Sequence, residues 1–228
     1  MMDDHKLNRI RPDSWRMTVG LMGIAFLFYQ ITLVRFPQVG PSASFLSDHL
    51  GVFPFWEPQY PLWRAMVRSL AVIWPSQMVV LIHTMQSLLM AVVLGLLYRL
   101  HVRHHLLRAR HDDLGSETNL VRGLIVFCFL LVSTASWVMA TRAYPWVVGA
   151  FLLVLSFALL SEYHRHGSRR CLYSFSFIFG LCLIEYSSAL LFVFPLIVVS
   201  LVALIRRRDF SSACLLKMAA CSLVGMVA

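Results

Sequence analysis

Apolar and polar positions alternate along this chain in long blocks. Apolar runs of about 16–20 residues recur from Met17 to the last residue, separated by short and mostly basic segments. About 20 residues at 1.5 Å each cross ~30 Å of hydrocarbon, so such runs predict transmembrane helices. The expected spans are Met17–Val34, Met78–Leu97, Gly123–Ala140 and Trp146–Ser161, with a last one from Ser212 to Ala228. Between Cys171 and Ile205 the chain stays apolar for too long to be one span, and its only charge is Glu185. Two spans with a tight turn at Glu185 are predicted there. The expected fold is therefore all-α, a polytopic transmembrane helix bundle of about seven spans. It forms a single transmembrane domain over 1–228, read as the N-terminal part of a longer module.

The stretch from Phe36 to Ser76 breaks this pattern by mixing polar and apolar residues. It predicts a long first outer loop holding Asp48, Glu57 and three of the six Trp. Within it, Tyr60 to Trp74 has helical spacing. Pro61 suits a first turn and Pro75 stops the helix. Arg64 and Arg68 share one face, four residues apart. At about 14 residues the segment is short for a span. It is expected to lie in the interface as an amphipathic helix, with Trp63 and Trp74 near the headgroups. At the other end of the first span, Asp13 or Ser14 is the expected helix cap.

Charge orients the bundle. The chain is 59% hydrophobic and 14% charged, against roughly 25% in soluble domains. With the N-terminus cytoplasmic, the inner segments 1–16, 99–122, 162–170 and 206–209 hold 15 of the 20 Lys+Arg, and the outer segments hold Arg35, Arg64, Arg68 and Arg142. This follows the positive-inside bias and predicts a multi-pass integral membrane protein. The net charge of +9 is then a membrane signature, with membrane lipid as partner and no nucleic acid. The five Cys show no C-x-x-C spacing and behave as small hydrophobes in apolar runs. The histidines at 101, 104, 105 and 111 sit beside Arg99, Arg103 and Arg108, which disfavours a metal. They predict a solvated basic face. No phosphate-loop, nucleophile-elbow, zinc-helix or dinucleotide motif is present, and no cofactor is expected.

Candidate chemistry gathers on the outer side. Asp48 and Glu57 lie in the long loop, and Glu185 at an outer turn. A desolvated acid can serve as a base, and acids within membranes are functional candidates. The competing assignments are a helix-capping Asp48, a solvated Glu57, and a Glu185 that only marks a turn or pairs with Arg142. Arg64, Arg68 and Arg142 carry forked guanidiniums that match phosphate, as substrate or as ordinary lipid headgroup.

The loop piece Ser47-Asp48-His49-Leu50-Gly51 and the step Glu57-Pro58-Gln59-Tyr60-Pro61-Leu62-Trp63 carry a resemblance. So do Gly95-Leu96-Leu97-Tyr98-Arg99-Leu100, Gly180-Leu181-Cys182-Leu183-Ile184-Glu185-Tyr186 and Phe194-Pro195. Together they resemble the GT-C class of membrane glycosyltransferases, nearest to the bacterial proteins grouped with protein O-mannosyltransferases. Asp48 is followed by His49 where the mannosyltransferases pair two acids, and Glu185 stands where many of the group carry His. The resemblance implies transfer of a sugar from a polyprenyl-phosphate donor to an acceptor hydroxyl on the non-cytoplasmic face of a bacterial inner membrane, with inversion. It implies Asp48 as general base. Glu57, Tyr60, Arg64, Arg142 and Glu185 become substrate contacts, with Arg142 or an arginine of the interfacial helix on the lipid phosphate. Two alternatives stand beside it. One is a non-catalytic membrane fragment or assembly partner, and the other a transporter or flippase for a lipid-linked substrate.

Overall fold

The computed structural model describes residues 14–33, 60–108, 116–185, 190–206 and 211–227. Those residues are almost wholly helical, with no strand among them. The helices are α1 (Trp15–Ile31), α2 (Pro61–Ile73), α3 (Met78–Arg108), α4 (Ser116–Val132) and α5 (Thr134–Thr141), then α6 (Trp146–His166), α7 (Arg169–Glu185), α8 (Leu190–Arg206) and α9 (Ser212–Val227).

Local chemistry sets several of these ends. The Met17 amide donates to Ser14 Oγ at 3.3 Å, so Ser14 is the cap of α1. A single 3-10 turn over Pro75–Gln77 joins α2 to α3. Helix α6 ends at Gly167, whose φ of 68° is left-handed and suits glycine. His164, Arg165 and His166 fill its last turn, where positive charge favours the helix dipole.

Helix α3 is the hub. It packs against α1, α2, α4, α5 and α6. Its buried residues Ile82, Met90, Leu94 and Tyr98 join Tyr29 of α1, Trp63 and Val67 of α2, Phe127 of α4 and Leu152 of α6 in one core. Helix α7 is the second hub, packed against α6 and α9 and touching α2. The α7–α9 contact is close because it uses glycines. A Cβ on Gly180 would lie 2.1 Å from the Ser222 carbonyl oxygen, and one on Gly225 would lie 2.2 Å from that of Phe177. Small residues bring membrane helices together in this way.

The outside is apolar. Val121, Ile125, Phe129 and Val132 stand exposed along α4, as do Ile24, Leu27 and Ile31 on α1 and Leu223, Val224 and Val227 on α9. Exposed apolar stripes of this extent mark a surface for lipid or for another protein. Among the described residues, Pro75–His104 and Trp146–His166 are each long and apolar enough to cross a membrane. Leu120–Val132 with Thr134–Thr141, bent by 59°, is a third if the pair is one span. The described residues are thus all-helical, and their long apolar helices point to a membrane protein.

Several expectations need correction. The third apolar run is two helices, not one. Ser133 accepts from the Ser136 amide at 3.3 Å and donates to the Leu130 carbonyl at 2.9 Å, which interrupts the helical ladder. The basic connector after the second run is helical at both its described ends, with α3 reaching Arg108 and α4 starting at Ser116. Its basic face is not uniformly solvated, since Arg99 is only 6% exposed. Trp63, expected near the headgroups, has its side chain fully buried against neighbouring helices rather than facing outward. The amphipathic helix itself is present, and Trp74 at its end is exposed.

Candidate functional site at one end of the bundle

The start of α2, the end of α7 and the 142–146 turn meet at one end of the bundle. Helix α2 begins without a cap of its own. Its N-cap position is Tyr60, whose side chain makes no capping bond. Glu185, the last residue of α7, supplies the cap from 122 residues away. Its Oε2 accepts from the Leu62 amide at 2.7 Å and its Oε1 from the Trp63 amide at 3.0 Å. These are first-turn donors that the helix cannot satisfy internally. A carboxylate there also meets the positive end of the helix dipole. Glu185 is 1% exposed, so this carboxylate is enclosed.

Tyr60 is held in an unusual backbone state, with φ 59° and ψ 59°. A bulky non-glycine residue there is strained, and strain of this kind persists only where the surroundings impose it. The Trp146 indole N–H donates to the Tyr60 hydroxyl at 3.0 Å. Trp146 in turn stacks on Tyr144, with ring centroids 5.2 Å apart and planes 2° from parallel.

The turn is fixed from behind by α3. Gln86 Nε2 donates to the Tyr144 carbonyl at 2.5 Å, and Ser87 Oγ donates to the Ala140 carbonyl at 2.9 Å. Gln86 and Ser87 are both buried. Arg142 lies in this turn with its guanidinium 5.9 Å from the Trp137 ring centroid. The Nε of Arg142 and that of Arg64 are shielded from solvent, with no hydrogen-bond partner among the described residues.

The structure thus brings Tyr60 and Glu185 to the start of α2, with Arg64 one turn along it, and anchors the Arg142 turn through Trp146 to Tyr60. A helix ends at Glu185, where the break between two spans was expected, and its carboxylate meets backbone amides of α2 rather than Arg142. Its two acceptors are taken by backbone amides. Among the described residues it is the acid at this end, and it serves as a structural clamp. Asp48 and Glu57 lie outside the described residues.

A second polar cluster, missed in the sequence, lies toward the opposite ends of α3 and α6. Glu162 of α6 bonds Arg103, lies 3.5 Å from Arg99 Nη2, and lies 3.4 Å from His166 Nε2. The Arg99 guanidinium also sits 3.6 Å from the Trp15 ring centroid. Its signal was present in principle: Arg99 and Arg103 are one helical turn apart, and Glu162 is the lone acid between Glu117 and Glu185. Among the described residues no three His, Cys, Asp or Glu side chains gather as a metal site.

No family model, no curated protein and no solved structure matches this chain.

Proposed function

We propose that the chain is a seven-span membrane glycosyltransferase module of the bacterial inner membrane, with a cytoplasmic N-terminus. It would move a sugar from a polyprenyl-phosphate donor to an acceptor hydroxyl on the non-cytoplasmic face. The observation that carries this is the clamped start of α2: Glu185 caps it and Trp146 holds Tyr60 in a strained backbone state. Rigid support of this kind suits a site that must place a phosphate and a base accurately. Arg64 and Arg142 would supply guanidiniums for the lipid phosphate, each with an Nε that bonds no described residue. Glu185 becomes a positioning residue, and Asp48, with Glu57 in the same segment 34–59 leading to Tyr60, remains the candidate base.

Membranes carrying the chain, given labelled polyprenyl-phosphate sugar, should transfer label to a hydroxyl acceptor. Asp48→Asn should lower the rate by on the order of 100-fold or more, the usual contribution of a general base. Unchanged transfer in Asp48→Asn would remove Asp48 from the mechanism.

One observation favours a second function, a non-catalytic assembly partner. The described acid at this end is committed to capping, and Arg142 faces an aromatic ring rather than a carboxylate. Absence of transfer by the wild type, together with a stable complex with another membrane protein, would select it.

A further inference from the structure

A cavity of about 490 Å³ opens between α3, α6 and α8, toward the opposite end of the bundle from the clamped helix. Its size is within the roughly 300–1,000 Å³ typical of small-molecule sites. Its walls are apolar, with Leu97 from α3, Val154 and Phe157 from α6, and Val202 from α8. Its rim is basic, with Arg103 and His104 from α3, His164 from α6 and Arg206 from α8. Along each of the three helices the lining changes in the same order, apolar first and basic last. The groove therefore has an apolar end and a basic end. On α6 the run from Val154 to His164 covers about 15 Å at 1.5 Å per residue.

We propose that this groove binds a membrane phospholipid with an anionic headgroup, its acyl chain along the apolar wall and its phosphate at the basic rim. Three features select that occupant. No carboxylate lines the groove among the described residues. Glu162 lies just behind it, but one carboxylate is shared by Arg99 and Arg103, so the rim keeps excess positive charge. Phe157 and Val202 are exposed, and the neighbouring Val198, Leu201 and Ile205 of α8 form an apolar surface continuous with them. A chain can thus enter sideways from a bilayer, which a soluble anion has no reason to do. Basic pockets between membrane helices recognise anionic headgroups by the same electrostatics. The site needs only that the chain lies in a membrane, so it stands or falls separately from sugar transfer.

Native mass spectrometry of the full chain in detergent tests it, with phosphatidylglycerol and phosphatidylcholine added at equal concentration. Phosphatidylglycerol should be retained preferentially, and millimolar inorganic phosphate should not displace it. Arg206→Gln, an exposed position at the end of α8, should weaken retention about fivefold, which is the ~1 kcal/mol of one basic residue near an anionic headgroup. Val202→Phe fills the apolar end without changing charge and should also weaken retention. Circular dichroism matching the wild type would show that both variants fold. Equal retention of the two lipids would overturn the proposal. Displacement by phosphate, or loss in Arg206→Gln with none in Val202→Phe, would also overturn it by showing an anion site without an acyl groove.

Discussion

Glu185→Ala is the sharpest perturbation this fold offers. It removes both acceptors at the start of α2 and strands the Leu62 and Trp63 amides. An unsatisfied buried donor costs about 1–3 kcal/mol. The Trp63 amide is enclosed and takes the upper part of that range. Leu62 is half-buried, so water can reach its amide and its share is smaller. A total of about 3 kcal/mol follows for undocking α2, and at ~1.4 kcal/mol per tenfold this raises the undocked population on the order of 100-fold. Glu185→Gln keeps one acceptor oxygen at nearly the same place and should cost about 1 kcal/mol, the net worth of one hydrogen bond. Limited trypsin digestion reads this directly, because Arg64 and Arg68 both lie on α2. When opening is fast relative to cleavage, the cutting rate tracks the open population. The expected order is wild type slowest, Glu185→Gln intermediate and Glu185→Ala fastest. Cleavage of Glu185→Ala at the wild-type rate would refute the clamp.

Other consequences are as specific. Gly180→Ala places a Cβ 2.1 Å from the Ser222 carbonyl, so α7 and α9 must separate, at about 1–3 kcal/mol in the unfolding free energy. Gly23→Ala, with nothing within 4 Å, should instead stabilise α1 by up to about 1 kcal/mol; similar effects at the two sites would contradict the close helix contact. Glu162→Gln leaves Arg99 and Arg103 without their shared carboxylate. A double-mutant cycle with Arg103→Gln should give a coupling of about 1 kcal/mol, discounted because Glu162 is partly exposed, and zero coupling would remove the ion pair. Tyr60→Gly relieves the left-handed strain but loses the Trp146 hydrogen bond, so it should speed trypsin cleavage less than Glu185→Ala does.

The helices were legible because lipid-length apolar runs and prolines mark them well. Pro61 and Pro75 bracket α2 closely, and helices end and begin on either side of 186–189, just after Glu185. The clamp was not legible, because it joins residues 122 positions apart and hydropathy says nothing about partners. One clue was available: Tyr60-Pro61 opens a helix without a Ser, Thr, Asp or Asn cap, so the first-turn amides need an acceptor from elsewhere. The bend at Ser133 was hidden for the opposite reason. Ser133-Thr134-Ala135-Ser136 is mild enough in hydropathy to read as continuous helix, while the Ser133 hydroxyl bonds the local backbone on both sides. Arg99 and Arg103 looked like solvated connector because basic residues usually are. Their burial depends on Trp15 and Glu162, which come from distant parts of the chain.

Photo-crosslinking of a labelled polyprenyl-phosphate analogue to the full chain in membranes tests most directly where the donor phosphate is held. Label on peptides containing residues 60–68 and 137–146 is the predicted result, since these carry Tyr60, Arg64 and Arg142. Label confined to residues 97–108 and 199–206, or no saturable label at all, would contradict the assignment of that end of the bundle as the donor site.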